Sequence, residues 1–254
     1  MSFQTFIFDL DGTVYRGKTL ISGADKTIEQ LRKNGKNVFF LTNCSTRSRK
    51  SLLEKMANMG VHAKLEELYP TSFLLAEYIS KNHPNETVFC VSEGGIQDEL
   101  IEKGIKISED GEGATIVAVG LHRKVTYDIL AKAFSLIYNG ARFISTNYDL
   151  TYPTEEGMMP GSGALVAFLE ASTGKKSLIL GKPSKECIDI IVADHGLDRK
   201  GIVIVGDRYD TDILTAKHAN IKSALVLTGV SKEKDIGAFK PDSILNNIND
   251  LLKL

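Results

Sequence analysis

Short apolar runs alternate along the chain with segments whose apolar residues recur at helical spacing. The first run, 3–10, is dense enough in apolar residues to predict a strand that is buried on both faces. A helix is predicted next at about 23–34, because Ile28 and Leu31 lie three residues apart and Gly35 suits helix termination. The chain therefore begins with a strand followed by a helix.

This alternation continues as far as residue 227. Further strands are predicted at 37–41, 87–91, 115–119, 142–145, 177–180, 201–205 and 223–227. Further helices are predicted near 46–59, 125–138, 162–173, 184–195 and 210–219. The segment 104–113 is predicted to be a loop, although the alternation of Ile105 and Ile107 also suits a short edge strand. The pattern predicts an α/β fold with an open, doubly wound parallel sheet and ligands at the carboxyl ends of its strands.

Composition narrows the class of protein. The 254 residues are 43% hydrophobic and 25% charged, which is typical of a globular chain and excludes an intrinsically disordered one. The net charge of −1 gives no support for a nucleic-acid partner, since such proteins usually carry a basic excess. No apolar run approaches the roughly 18–20 residues of a membrane span, and no secretory signal is evident, so no membrane association is predicted.

Cysteine usage indicates the compartment. Cys44, Cys90 and Cys187 are odd in number and far apart in the sequence, which argues against a disulfide scaffold. A reducing, cytoplasmic setting is the prediction that follows.

Four polar clusters carry the candidate chemistry, and each follows a predicted buried strand. The first is Asp9-Leu10-Asp11-Gly12-Thr13. Two carboxylates at the end of an apolar strand are costly unless they bind a cation or share protons. Gly12 permits an unusual backbone turn directly after them. The alternative is a solvated strand end followed by an ordinary turn.

The second and third clusters supply donors for an anion. Thr42 and Asn43 close the strand at 37–41 with a hydroxyl and an amide, which can donate hydrogen bonds to an anion or cap the next helix. Lys182, in Gly181-Lys182-Pro183-Ser184, places a cation at another strand end. Its alternative interpretation is a surface lysine in a loop.

The fourth cluster is the segment 206–212, which reads Gly-Asp-Arg-Tyr-Asp-Thr-Asp and contains three aspartates. Helix capping explains one of the three, since aspartate is a good N-cap residue. It does not explain Asp207, which lies too close to the preceding strand. Asp210 is interpreted as a helix cap or as a group that supports the site.

In this order, the four clusters resemble the haloacid dehalogenase superfamily of phosphotransfer enzymes, and the resemblance covers the whole chain. About 140 residues separate Thr42 from Lys182, far more than one strand–helix unit needs, and the superfamily inserts a cap domain at that point. The segments 145–149 and 160–165 are similar to the return from cap to core in the NagD-like, or p-nitrophenyl phosphatase, subfamily. Cys44 departs from that pattern, because relatives often carry a polar residue there; it is interpreted either as a small buried residue or as a change in the pocket beside Thr42.

The resemblance implies a discontinuous organisation. The predicted catalytic core comprises 1–77 and 178–254, and the predicted α/β cap comprises 78–177. It also implies a Mg²⁺ cofactor and a possible homodimer.

The resemblance assigns roles at the catalytic centre. Asp9 would be the nucleophile that forms an aspartyl-phosphate. Asp9, the backbone carbonyl of Asp11, and Asp207 would hold Mg²⁺, since that ion prefers oxygen ligands. The side chain of Asp11 would then act as general acid and base.

Other residues would bind the substrate or support the site. Thr42, Asn43 and Lys182 would bind the phosphoryl group, and Asp212 would orient Lys182 or a metal-bound water. Asn147 and Asp149 are the candidates for groups of the cap that face the substrate, although both also favour turns.

The leading hypothesis is a Mg²⁺-dependent phosphatase of small phosphorylated metabolites, with nucleotide monophosphates, sugar phosphates and phosphoglycolate as candidate substrates. Two alternatives stay open at this point. One is a receiver-like signalling protein that keeps a stable phospho-aspartate. The other is a catalytically silent binding or scaffold protein on the same fold.

Overall fold

The computed structural model describes residues 3–154 and 157–253. The chain divides into two compact units. The first unit comprises Met1–Thr42, Lys50–Tyr69 and Lys182–Leu254, and the second comprises Asn43–Arg49 and Pro70–Gly181. The sequence-based boundary at 77/78 falls inside the helix Thr71–Asn82, which packs against the helix Gly95–Glu102 of the second unit. Because a helix belongs to one packing unit along its whole length, the second unit begins before that helix.

The first unit is built on one six-stranded sheet. Numbered in chain order along the whole molecule, its strands are β1 (Thr5–Phe8), β4 (Asn37–Thr42), β5 (Leu68–Pro70), β12 (Ile202–Gly206), β13 (Lys222–Val226) and β14 (Ser243–Leu245). The spatial order is β14-β13-β12-β1-β4-β5, and β1 pairs in parallel with both β4 and β12. A small antiparallel hairpin, β2 (Tyr15–Arg16) with β3 (Thr19–Leu20), follows β1.

The position of β1 identifies the ligand-binding edge of this sheet. From β1 the chain moves to β4 on one side, and it returns much later to β12 on the other. Ligands in open α/β sheets bind where the strand order reverses, outside the carboxyl ends of the strands. The residues directly after β1 therefore lie at the expected binding position.

Helices pack against the sheet of the first unit through apolar faces. In α1 (Ala24–Lys33), Ile28 and Leu31 are buried, and in α2 (Arg49–Asn58) Leu52 and Met56 are buried. These side chains join one apolar cluster with residues of β1 and β12. The first unit also contains α7 (Glu186–His195) and α8 (Leu214–Ala219).

The second unit has its own parallel sheet. Its strands are β6 (Val88–Val91), β7 (Ile116–Val119), β8 (Arg142–Ser145) and β11 (Leu178–Ile179), in the order β11-β8-β7-β6. Its helices are α3 (Thr71–Asn82), α4 (Gly95–Glu102), α5 (Tyr127–Tyr138) and α6 (Ser162–Thr173). Residues of α3 and α4 join one apolar cluster, and residues of α5 and α6 join another. The doubly wound parallel fold predicted from the sequence is confirmed.

Several elements were not predicted. In α3, eight of the twelve residues are buried, including the polar Thr71, Ser72 and Glu77, so polar positions do not mark a solvent face and helical periodicity is weak. The hairpin of β9 (Thr151–Thr154) and β10 (Gly157–Pro160) was also missed. In the segment 104–113, Ile107 forms only an isolated bridge with Val88. Among the described residues, no helix has the length and apolar character needed to cross a membrane.

Candidate active site

Asp9 is positioned by the sheet itself. Its backbone N–H continues the ladder beyond β1 by donating to the carbonyl of Val205, with an N···O distance of 2.8 Å. The residue is only 7% exposed at the carboxyl end of the strand. A buried carboxylate needs a partner, because the transfer of an isolated charge from water is strongly unfavourable.

Lys182 is that partner, and it joins two distant segments of the chain. Its Nζ donates to Asp9 Oδ1 at 2.5 Å and to Asp212 Oδ1 at 2.6 Å, and the lysine is only 2% exposed. Burial by itself would lower the pKa of Lys182, but the charges of Asp212 and Asp9 outweigh burial and raise it. The lysine is therefore held in its charged form, and it is not the surface residue of the alternative interpretation.

Asp207 completes an acidic cluster that one lysine does not neutralise. Carboxylate oxygens of Asp9, Asp207 and Asp212 all lie within 4.8 Å of one another, and all three residues are buried. Burial raises the pKa of Asp207 to about 6, and the charge of Asp212 adds to the rise. Burial likewise raises the pKa of Asp9, against the opposing effect of Lys182.

One oxygen of Asp207 is left for a cation. The Oδ2 atom accepts a hydrogen bond of 2.7 Å from the Val230 N–H, whereas the buried Oδ1 atom has no hydrogen-bond partner among the described residues. Unsatisfied buried acceptors are rare in native proteins, and an ion is one of the groups that satisfy them. Together with the clustered carboxylates, this oxygen fits a hard divalent cation such as Mg²⁺.

Asp212 is fixed at both of its oxygens. Its Oδ1 atom accepts from Lys182 at 2.6 Å, and its Oδ2 atom accepts from the Arg208 N–H at 3.0 Å. A single π-helical turn, Tyr209–Ile213, precedes α8 and carries this side chain, where the sequence predicted one continuous helix over 210–219. Gly206 allows the close approach, since a Cβ atom there would lie 2.1 Å from Asp212 Cγ. The geometry suits the predicted orienting role of Asp212.

Asp11 differs from Asp9 in its surroundings. Its side chain is exposed, and its Oδ1 atom accepts a hydrogen bond of 3.3 Å from the Gly17 N–H in the turn between β2 and β3. The two carboxylates of the Asp9-Leu10-Asp11 motif are therefore separated into a buried and an accessible group. An accessible carboxylate is free of the lysine that holds Asp9, as proton transfer to a substrate requires.

Four predicted site residues remain. Thr42 lies in the first unit, whereas Asn43, Asn147 and Asp149 lie in the second. Thr42 is the last residue of β4, next to β1 in the sheet of the first unit. Asn43 belongs to the second unit, where its Nδ2 donates to Asp149 Oδ2 at 3.0 Å. Asn147 donates to the same oxygen at 2.8 Å. The structure thus unites Asn43, Asn147 and Asp149 in one hydrogen-bonded network.

Two residues whose roles the sequence left open have local partners. Cys44 is partly buried, and its Sγ lies 3.7 Å from the hydroxyl of Thr46. Asp210 is exposed and pairs with the guanidinium of Arg208 at 3.1 and 2.8 Å. Asp210 therefore lies within the π-helical turn and not at the start of α8, which begins at Leu214.

Sequence reasoning missed the loop 228–231, which contacts Asp207 through the Val230 N–H and places Gly229 against its carboxylate. The one signal was Thr228-Gly229 directly after the predicted strand 223–227, a pattern similar to the clusters that follow the other strands.

The combination of this sheet and these site residues is typical of one class of protein. At the switch point of a doubly wound sheet lie a buried aspartate paired with a lysine and, two residues later, an accessible aspartate. A third carboxylate has one oxygen without a hydrogen-bond partner in the described part of the chain. Comparison with family models agrees with this class. A model described as haloacid dehalogenase-like hydrolase matches residues 6–106, and one described as HAD-hydrolase-like matches residues 179–251.

Individual relatives narrow the class further. The chain is 38% identical to an acid sugar phosphatase of Staphylococcus epidermidis over 234 residues, covering 92% of this chain and 90% of the relative. The structure of the p-nitrophenyl phosphatase from Archaeoglobus fulgidus matches with a TM-score of 0.95 and 31% identity, covering 100% of this chain and 99% of the other. NagD from E. coli K-12 matches with a TM-score of 0.90 and 29% identity, covering 98% of each chain. The chain belongs to the haloacid dehalogenase-like hydrolases, among the NagD-like phosphatases, and is a phosphoric monoester hydrolase.

The charge imbalance predicts that the site costs stability when no metal is bound. We expect Asp207→Asn to raise the free energy of unfolding at pH 7, because it removes one buried negative charge while its oxygen can still accept from Val230. The pKa of Asp207 rises from 3.8 to about 6, so the increase in the free energy of unfolding is about 3 kcal/mol at most. Denaturant unfolding in the presence of a chelator measures it.

The stability difference between the wild type and Asp207→Asn should depend on pH. The folded wild type binds the Asp207 proton more tightly than the unfolded chain, so its stability falls as the pH rises from about 4 through about 6. The advantage of Asp207→Asn should therefore grow over that window and level off above it. Asp210→Asn, three residues further along the chain but exposed, is the matched control and should change stability by less than about 0.5 kcal/mol. A destabilised Asp207→Asn would contradict the prediction.

Proposed function

We propose that this protein is a Mg²⁺-dependent phosphatase that hydrolyses small phosphate monoesters through a phosphorylated Asp9. The observation that carries the proposal is the arrangement around Lys182. A buried ammonium bridges Asp9 and Asp212 beside the unsatisfied Oδ1 atom of Asp207.

The excess of negative charge supports the need for a metal. Three buried carboxylates face one lysine, so a phosphate dianion that approaches Asp9 would be repelled. The side chains of Asp9 and Asp207 and the backbone carbonyl of Asp11 would hold the ion. When bound, Mg²⁺ would neutralise charge on the carboxylates and on the phosphoryl oxygens.

The residues of the chain would then perform two displacements. In the first, an oxygen of Asp9 forms a bond to phosphorus while the bond from phosphorus to the ester oxygen breaks, and Asp11 donates a proton to the leaving oxygen. In the second, Asp11 accepts a proton from water, whose oxygen bonds to phosphorus while the aspartyl bond to phosphorus breaks. Inorganic phosphate leaves, and Asp9 and Asp11 return to their starting states. Lys182 would offset negative charge on Asp9 and on the phosphoryl group throughout.

Thr42 and a polar network of the second unit are the candidates for substrate recognition. Thr42 would donate to a phosphoryl oxygen from the end of β4. We propose that the network of Asn43, Asn147 and Asp149 presents polar groups to the substrate from the second unit. Hydroxyl-bearing leaving groups suit such a surface, and the acid sugar phosphatase relative makes sugar phosphates the first class to test. Nucleotide monophosphates and phosphoglycolate are the next classes.

A phosphatase screen with and without Mg²⁺ tests the proposal. Purified protein is incubated with p-nitrophenyl phosphate and a panel of sugar phosphates, nucleotide monophosphates and phosphoglycolate, and released phosphate is measured. We expect turnover that a chelator abolishes and added Mg²⁺ restores. Equal rates with and without the metal would contradict the metal requirement, and a stable phospho-aspartate without turnover would favour a signalling role.

The proposed role of Asp11 as proton donor predicts a dependence on the leaving group of the substrate. We expect Asp11→Asn to lower kcat by about 10²–10⁴-fold for alkyl phosphates, because an alkoxide leaves poorly without a proton donor. The loss in the first displacement should be smaller for p-nitrophenyl phosphate, whose leaving group is already a stable anion. The measurement is the initial burst of p-nitrophenol in rapid-mixing experiments, compared with alkyl phosphate turnover. Equal losses for both substrates would contradict the assignment of Asp11 as the acid.

A further inference from the structure

The loop 228–231, here called the Thr228 loop, follows β13 and holds Asp207 from several directions. The Val230 N–H donates to Asp207 Oδ2 at 2.7 Å, and the Ser231 N–H donates to the Asp207 backbone carbonyl at 3.0 Å. Side chain and backbone of Asp207 are therefore both fixed by the same loop. Because the Val230 N–H occupies Oδ2, Oδ1 is the oxygen left for the acidic cluster.

Two glycines make this close approach possible. A Cβ atom at Gly229 would lie 1.8 Å from Asp207 Oδ2, and one at Gly12 would lie 2.5 Å from Asp207 Cγ. Real Cβ atoms do not approach other atoms this closely, so both positions require glycine. The carboxylate of Asp207 is thus in contact with two backbone segments, the loop after β1 and the Thr228 loop.

The hydroxyl of Thr228 ties these two segments together. Its Oγ1 donates to the carbonyl of Gly12 at 2.6 Å. The backbone carbonyl of Thr228 in turn accepts a hydrogen bond from the guanidinium of Arg16, the second residue of β2. Neither atom of Thr228 touches a carboxylate of the cluster in these contacts, so its effect on the site passes through the backbone.

We propose that Thr228 is a positioning residue that keeps Asp207 Oδ1 directed into the acidic cluster and so sets the affinity of the site for a divalent cation. Without the hydroxyl, the Gly12 carbonyl loses its donor, and the two loops can separate. The Val230 N–H then moves with its loop, and Asp207 can turn. The inference rests on the proposed function, because it concerns the metal that the phosphatase would use.

Metal binding by Thr228→Val tests the inference independently of turnover. The variant removes the hydroxyl and keeps the branched shape of the side chain. We expect the dissociation constant for Mg²⁺, or for Mn²⁺ as a tighter probe, to rise by about 10–100-fold in titration calorimetry, as is typical when a residue that supports a ligand is lost. Thr228→Ser should restore affinity to within about threefold. Thr228→Ala should reproduce the loss if the valine variant does not fold.

The kinetic signature distinguishes positioning from a general loss of structure. With p-nitrophenyl phosphate, the Mg²⁺ concentration for half-maximal activity should rise by the same factor, while kcat at saturating Mg²⁺ stays within about twofold of the wild type. Thermal unfolding in chelator checks that the fold is retained. The matched control is Thr173→Val, which removes a comparable hydroxyl–carbonyl bond, to Leu169 in α6, and should leave metal affinity unchanged.

The two proposals fail in different ways. If the wild type binds no divalent cation, the proposed metal dependence is wrong. If the wild type binds one and Thr228→Val binds it equally well, only the positioning role of Thr228 is overturned. A fall in kcat that saturating Mg²⁺ does not recover would also overturn it.

Discussion

Asp9→Asn is expected to lower kcat for p-nitrophenyl phosphate by about four orders of magnitude or more, because the amide cannot act as the nucleophile that forms the covalent intermediate. The fold should survive the change. The amide oxygen can still accept from Lys182, and the replaced side chain has the same size in a site that is 7% exposed. The measurement pairs steady-state kinetics with far-ultraviolet circular dichroism and the melting temperature.

The control for Asp9→Asn is Asp210→Asn, which removes a carboxylate from an exposed pair with Arg208. That variant should keep kcat within about twofold, since exposed ion pairs contribute little. If Asp9→Asn retained activity within tenfold of the wild type while the protein stayed folded, another group would have to be the nucleophile. Trapping of the phosphorylated protein by rapid acid quench, absent from Asp9→Asn, would give direct support for the assignment.

Lys182→Met is expected to produce the largest loss of stability. The substitution leaves Asp9 and Asp212 buried without their shared counter-charge, and removal of one partner from a buried ion pair typically costs about 3–5 kcal/mol. Methionine approximates the length of the lysine side chain, so the loss reports charge more than packing. Equilibrium denaturation in chelator at pH 7 measures it.

The same variant has a predicted pH dependence. Burial and the neighbouring carboxylates favour protonation of Asp9, so lowering the pH should relieve the unpaired charge and shrink the difference from the wild type. Lys185→Met is the matched control, because Lys185 lies three residues away in an exposed pair with Asp189. It should change stability by less than about 0.5 kcal/mol. A Lys182→Met protein as stable as this control would show that the ion pair contributes little to folding.

The carboxyl edge of the sheet holds three buried carboxylates and one buried lysine. Asp9, Asp207 and Asp212 are buried close together, although like charges at that distance oppose folding. Lys182 offsets part of this cost, and a bound cation would offset the rest. The expected gain in stability of Asp207→Asn and the expected loss of Lys182→Met are two consequences of the same imbalance. A functional site that destabilises the fold in the absence of its ligand is common in proteins.

The sequence by itself determined the parallel α/β architecture. It also determined which residues of the four polar clusters lie at the ends of strands. Alternating apolar runs and helical patterns require helices over parallel strands, and parallel strands bring their carboxyl ends to one edge. Asp9, Lys182, Asp207 and Asp212 could therefore be grouped before any coordinates were known. In α1, Ile28 and Leu31 are buried, as their spacing of three residues predicted.

Tertiary structure alone decided the features that depend on burial or on partners remote in sequence. Most of α3 is buried, its polar Ser72 and Glu77 included, so its packing with α4 reveals it where periodicity does not, and the second unit includes it from Pro70 onward. Asn43 and Asp149 are 106 residues apart and meet only in the folded second unit. Thr228 lies 216 residues from Gly12, and no local pattern relates a hydroxyl to a carbonyl at that separation. Local sequence reports periodicity and strand ends, whereas the direction of one carboxylate oxygen depends on contacts that form only when the whole sheet is assembled.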